Sequence, residues 1–158
     1  MNAAIRLVAV ALAGLAACGG PQPGTGDPGN RRLAALRSDP VFATLPLSAQ
    51  LARPAESVPA RWRDNGLFEP SGWDGPAYIV TFTDTTASDA IIAFYSTAAT
   101  DAGWVPNGNR SRRFPVVWTK KFAGGWIGTL HIVDLSGPSP PVGAPRRFIL
   151  TASGPAVV

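Results

Sequence analysis

One cysteine, Cys18, stands in a chain of 158 residues, and it closes a short apolar run near the start. A single thiol forms no intramolecular disulfide and builds no multi-cysteine metal site. Whatever domain follows must therefore hold together by core packing alone. The material for a core is present: 46% of the chain is apolar and only 15% is charged, which excludes wholesale disorder. The 17 glycines and 16 prolines set the style of that fold. Such density calls for many turns and short elements rather than long helices.

Met1 to Arg6 carries one positive side chain, and Leu7 to Leu15 is an apolar run too short to span a bilayer. This is the plan of a signal peptide, and without a twin-arginine pair ahead of the run the general secretory route is the default. Leu15-Ala16-Ala17-Cys18-Gly19 then resembles the lipobox of bacterial lipoproteins. The resemblance implies diacylglyceryl transfer to the Cys18 thiol, cleavage before Cys18, and further fatty acylation (palmitate or similar). Two or more acyl chains anchor a protein stably where one is marginal. Residues 1–17 are thus expected to be a signal peptide and residues 18–30 a Gly/Pro-rich tether spanning roughly 20 Å. Residues 31–158 are expected to form one domain. The expected location is the cell membrane, lipid-anchored and facing outward. In a two-membrane host, Gly19 rather than Asp after the cysteine implies the outer membrane, by analogy with known lipoproteins.

Arg31 to Ser38 has helical composition, and Asp39-Pro40 should stop it, because a residue before proline avoids helical angles. Leu47 to Pro76 is broken by prolines, with room for a short strand near Ser48 to Arg53 and an aromatic anchor at Trp62 before an Asn-Gly turn. From Ala77 the signals sharpen. Ala77 to Thr83 is rich in β-branched and aromatic residues and predicts a strand. Ser88 to Ala102 predicts the main helix. Thr86 or Ser88 is placed to cap it, and Asp89 lies in its first turn. Ile91, Phe94, Tyr95, Ala98, Ala99 and Ala102 form its apolar stripe. Gly103 is placed as a left-handed C-cap, with Trp104 folding back on the last turn. Val116 to Phe122 and Trp126 to Asp134 predict a hairpin closed near Gly124-Gly125, and Arg147 to Ala152 a closing strand. The expected class is α+β, with an antiparallel sheet of about four strands packed against one main helix in β-α-β-β-β order. The helix from Phe94-Tyr95 to Gly103-Trp104 resembles a pattern of small uncharacterised lipoproteins of actinobacteria. The resemblance covers about Tyr78 to Leu150 and brings no known activity.

Catalytic signatures are sparse. His131 is the one histidine, and His131 and Asp134 on one strand point to opposite faces. Metal sites need three or four ligands, so no metal and no cofactor is expected. No Gly-x-Ser-x-Gly elbow or phosphate loop occurs. Asp84 and Asp89 could pair as glycosidase carboxylates, but the first ends a strand and the second begins a helix. Charge is unevenly spread. Pro54 to Trp104 holds two basic and seven acidic residues, and Val105 onward holds seven basic and one acidic. Arg110, Arg112, Arg113, Lys120, Lys121, Arg146 and Arg147 would form one positive area if the hairpin and last strand are neighbours; otherwise the two halves compensate each other within the fold. Such an area near a membrane would meet anionic lipid heads or anionic wall polymers; nucleic acid is not an expected partner.

Five tryptophans are many for this length, and core packing accounts for them more simply than a carbohydrate platform. Trp73 with Tyr78 is the pair expected to meet a ligand, beside Arg110, Arg112 and Arg113. The expectation is a non-enzymatic envelope lipoprotein, a small binding or interaction module with an unidentified protein partner. A hydrolase or transferase using dispersed carboxylates, and a structural subunit of an envelope complex, are the alternatives.

Overall fold

Alternation builds the sheet. In Ala77–Asp84 the even residues Val80, Phe82 and Asp84 are buried, and in Arg146–Ser153 so are Phe148, Leu150 and Ala152. Side chains on a strand alternate between faces, so each strand lays an apolar row on one side. The two strands pair antiparallel from Ala77 opposite Ser153 to Asp84 opposite Arg146. That register sets Phe82 across from Phe148, and their rings stack 5.3 Å apart.

The computed structural model describes residues 28–63, 72–108, 116–137, 141 and 143–155. In chain order these form helix α1 (Pro28–Arg37), a 3-10 turn (Pro40–Phe42), and strands β1 (Gln50–Leu51), β2 (Glu56–Val58), β3 (Arg61–Arg63), β4 (Gly72–Asp74) and β5 (Ala77–Asp84). Helix α2 (Ser88–Asp101) follows, then β6 (Val105–Asn107), β7 (Val117–Lys121), β8 (Ile127–Asp134) and β9 (Arg146–Ser153). The protein is α+β, with an antiparallel sheet in the order β1-β5-β9-β8-β7-β6, to which β2 adds beside β5. Strands β3 and β4 pair separately.

The four long strands β5, β7, β8 and β9 are those the alternation predicts. The sheet has seven strands rather than about four, because β1, β2 and β6 add pieces of two or three residues at its margins. Of these, β1 falls within the short strand expected near Ser48 to Arg53, whereas β2 and β6 are too short to carry a period that sequence pattern could reveal. In the proline-broken stretch before Ala77, Trp62 and Trp73 lie on paired strands opposite one another. Helix α2 carries the chain from β5 to β6 at the far edge, and β9 returns to fill the gap between β5 and β8.

Helix α1 starts at Pro28, three residues ahead of the expected Arg31. Proline suits a first helical position, because its missing N–H would be unpaired there anyway. Leu36 on this helix is fully buried. Asp39 ends it as expected, and its Oδ1 accepts from the Val41 amide at 3.1 Å to start the 3-10 turn.

Helix α2 buries Ile91, Tyr95 and Ala99, with Phe94, Ala98 and Ala102 half-buried along the margin of the stripe. Its N-cap is Ala87, with no side-chain capping bond. Neither expected cap serves, because the Ser88 hydroxyl bonds Asp134 and the Thr86 hydroxyl faces Ser48. At the other end Gly103 adopts φ +82°, and the Trp104 amide folds back to the Ala99 carbonyl at 2.8 Å. Trp104 and Trp118 sink into the core between helix and sheet.

The margin and the centre of the stripe should differ in cost. Tyr95→Ala empties a sealed site and should lose about 3–5 kcal/mol, whereas Phe94→Ala, at the half-exposed margin, should lose about 1–2 kcal/mol. Denaturant unfolding of both variants checks this, and an equal or reversed order would show that the core face of α2 is misassigned.

Candidate functional site

Period two also decides where the charges go. Lys120 and Lys121 are neighbours on β7, and Arg146 and Arg147 on β9, so each pair splits between the two faces of the sheet. Lys120 and Arg146 point to the helix side, where each meets a carboxylate. Lys120 Nζ lies 2.6 Å from Asp39 Oδ2 and donates to the Ala102 carbonyl at 2.6 Å. Arg146 NH1 lies 2.7 Å from Asp134 Oδ2 and 2.9 Å from Ser88 Oγ. Lys121 and Arg147 are exposed on the other face, and β8 stands between their strands. The expected single positive area of the C-terminal half therefore does not form from these four residues: two are neutralised inside the fold, and two lie on strands that do not touch.

Of the other expected site residues, Cys18, Arg110, Arg112 and Arg113 lie outside the described residues, as does the side chain of Trp73. Tyr78 is half-buried and meets Phe42 edge-on at 4.9 Å, packed against the core. His131 occupies the sheet face away from the helices, while Asp134 is on the helix side with Ser88, Arg146 and the Ser136 amide. Asp84 is sealed, and Asp89 is exposed on α2, accepting from the Ala90 amide.

Two carboxylates are held ionised. Burial alone would raise the Asp84 pKa, but the Thr86 hydroxyl and amide, the Ser48 hydroxyl and the Thr85 amide outweigh it and hold the group below its ordinary value. Ser48 Oγ reaches both carboxylate oxygens, at 2.9 and 3.0 Å, and the Thr86 amide donates to Oδ1 at 2.7 Å. Asp134 follows the same rule: burial is overcome by Ser88, Ser136 and Arg146, and its pKa too is lowered. Burial, with the Asp84 charge nearby, raises the Tyr95 phenol.

The concave surface with recognisable ligand chemistry lies elsewhere. A groove of about 520 Å³ opens between α1 and the β7-β8 turn, lined by Arg31, Arg32, Ala35, Ala123, Gly124 and Trp126. Arg31 is exposed, and the Arg32 guanidinium sits 6.0 Å from the Trp126 ring centre and donates to the Pro155 carbonyl at 3.2 Å. Trp126 is half-buried and stacks on Phe122, the rings 4.1 Å apart with planes 2° from parallel. Gly124 and Gly125 turn the chain beside it at φ +88° and +80°. The first turn of α1 contains no acidic residue, and Arg31 closes it, so that charge adds to the positive end of the helix dipole. A second groove, of about 400 Å³ and more apolar, lies between the 3-10 turn and α2 along Pro40, Thr44, Phe94 and Ala98. Sequence reasoning missed the first groove. Its available signal was an arginine pair at a helix start and a tryptophan directly after two glycines.

Comparison with known proteins finds no match to a family model, to a curated protein or to a solved structure. Among the described residues no group of three or more His, Cys, Asp or Glu could hold a metal ion.

Acid should unfold the domain through these two carboxyls, Asp84 sealed and Asp134 partly exposed. Both ionise more readily folded than unfolded, where the pKa is about 3.9. Their contribution is therefore complete above that pH and is lost as pH falls through the lower folded value. Ser48→Ala removes the single hydroxyl donor that the two Asp84 oxygens share and should move the acid-unfolding midpoint upward. A midpoint identical to that of the wild type, followed by circular dichroism, would contradict this role for Ser48.

Proposed function

We propose that the chain is an envelope lipoprotein, anchored through acylated Cys18 and facing outward, whose domain is a small non-enzymatic binding module. In a host with two membranes the outer membrane is its place. The lipobox-like Leu15-Ala16-Ala17-Cys18 carries the anchoring half of the proposal. The Arg31-Arg32-Trp126 groove carries the binding half: it pairs two guanidinium groups with an aromatic wall, which suits an anionic ligand. Its position suits the anchor as well. Helix α1 begins at Pro28, so only nine residues separate its first turn from Cys18.

Lys120 and Arg146, which meet Asp39 and Asp134, are engaged within the fold and add little to a binding surface. The carboxylates Asp84 and Asp134 each serve a turn through local hydrogen bonds, a use that needs no catalytic role.

Metabolic labelling with a fatty-acid probe tests the anchor. The wild-type chain should take up label and partition into detergent, and Cys18→Ser should do neither. Label persisting on Cys18→Ser would overturn the proposal.

A further inference from the structure

We propose that the Arg31-Arg32-Trp126 groove docks onto the phosphate headgroups of the bilayer in which the chain is anchored, holding the domain with one face against an anionic membrane. The inference rests on Cys18 as the point of attachment.

Three observations carry it. The first is charge. Arg31 and Arg32 stand side by side at the groove, Arg31 exposed and Arg32 held by the Pro155 carbonyl and against the Trp126 ring. Guanidinium forks match phosphate oxygens in pairs, and the exposed Arg31 offers an anion such a contact. The second is the aromatic wall. Trp126 keeps part of its ring exposed while Phe122 supports it from behind. Half-buried tryptophan is the side chain that settles at headgroup depth, with an apolar body and one polar N–H. Beside it, a Cβ on Gly125 would meet nothing within 4 Å, so the turn leaves the approach open.

The third observation is chain length. The nine residues between Cys18 and Pro28 reach at most about 35 Å when fully extended. The groove lies on the element that this tether enters, so the tether confines it near the bilayer. A short tether raises the effective concentration of its cargo at the surface to the millimolar range. Docking that would be too weak to recruit a free protein is then sufficient to orient an anchored one.

The test couples the chain from Cys18 onward, through its one thiol, to a maleimide lipid in vesicles. Every described element begins at Pro28 or later, so this chain keeps all of the described elements. Vesicles of phosphatidylcholine alone are compared with vesicles containing phosphatidylglycerol, each carrying brominated acyl chains that quench nearby tryptophan. Quenching should appear with phosphatidylglycerol at low salt and fade at high salt, because exposed charges are screened beyond about 10 Å. Trp126→Phe should remove the quenched part of the emission. Each arginine is worth about a factor of five near an anionic surface. Arg31→Gln should therefore lower the docked-to-free ratio about fivefold, and Arg31→Gln with Arg32→Gln about thirtyfold. Arg31 is exposed, so its single variant reports docking without disturbing the fold. Equal quenching in both kinds of vesicle, or a ratio unchanged by Arg31→Gln, overturns the proposal. So does protection of Trp126 by a soluble anionic wall polymer with no response to phosphatidylglycerol. Chemical coupling keeps this outcome independent of whether cells acylate Cys18, which the labelling experiment decides.

Discussion

An ion pair between a sealed Asp39 and the partly exposed Lys120 joins parts of the chain that lie far apart in sequence. Asp39 leaves α1, its side chain only 1% exposed, and its two oxygens serve three donors: the Val41 amide, the Trp104 indole at 3.0 Å and Lys120 Nζ at 2.6 Å. Lys120 in turn donates to the carbonyl of Ala102, just past the end of α2. The first helix, the 3-10 turn, the C-terminus of α2 and strand β7 thus converge on one carboxylate. A cation at a helix C-terminus is favourable in itself. Here its ammonium also lies 5.2 Å from the Phe122 ring and 5.8 Å from that of Trp104. Removing one partner of such a pair leaves the other charged and buried, at a cost of about 3–5 kcal/mol.

The same pair shapes the groove. Arg31, Arg32 and Ala35 lie on the helix that runs into Asp39, and Ala123, Gly124 and Trp126 lie on the turn that follows Lys120. Tying Asp39 to Lys120 therefore sets one wall against the other. Phe122, between Lys120 and the turn, touches Trp104 edge-on at 5.6 Å and stacks on Trp126, so the wall rests on the core. Gly128 is part of this arrangement: a Cβ there would come within 2.8 Å of the Phe122 ring. The candidate binding surface is built on rigid elements and shares its supports with the hydrophobic core.

Local pattern made the centre of this fold legible. Period two announced β5, β7, β8 and β9, period 3.6 announced α2, and Gly103 announced its end. What stayed hidden depends on partners distant in sequence. Asp39 reads as a helix stop before Pro40, and nothing local links it to Lys120, 81 residues away. The positive half of the chain suggested a surface patch because sequence shows charge but not the carboxylates that meet it. Ser88 reads as a cap, yet its hydroxyl is drawn to Asp134, 46 residues on. The groove was illegible for the same reason: its walls come from Arg31-Arg32 and Trp126, which only the tertiary fold brings together.

A double-mutant cycle on Asp39 and Lys120 tests most directly whether this pair is the tie on which the structure depends. Asp39→Asn, Lys120→Met and the double variant would be unfolded in denaturant beside the wild type. Either single change should cost about 3–5 kcal/mol, and the double change much less than their sum, because it leaves no unpaired buried charge. The coupling energy should then reach about 1–3 kcal/mol. Losses that simply add would contradict the account, showing that Asp39 and Lys120 contribute separately and that the helix and the hairpin are held together by something else.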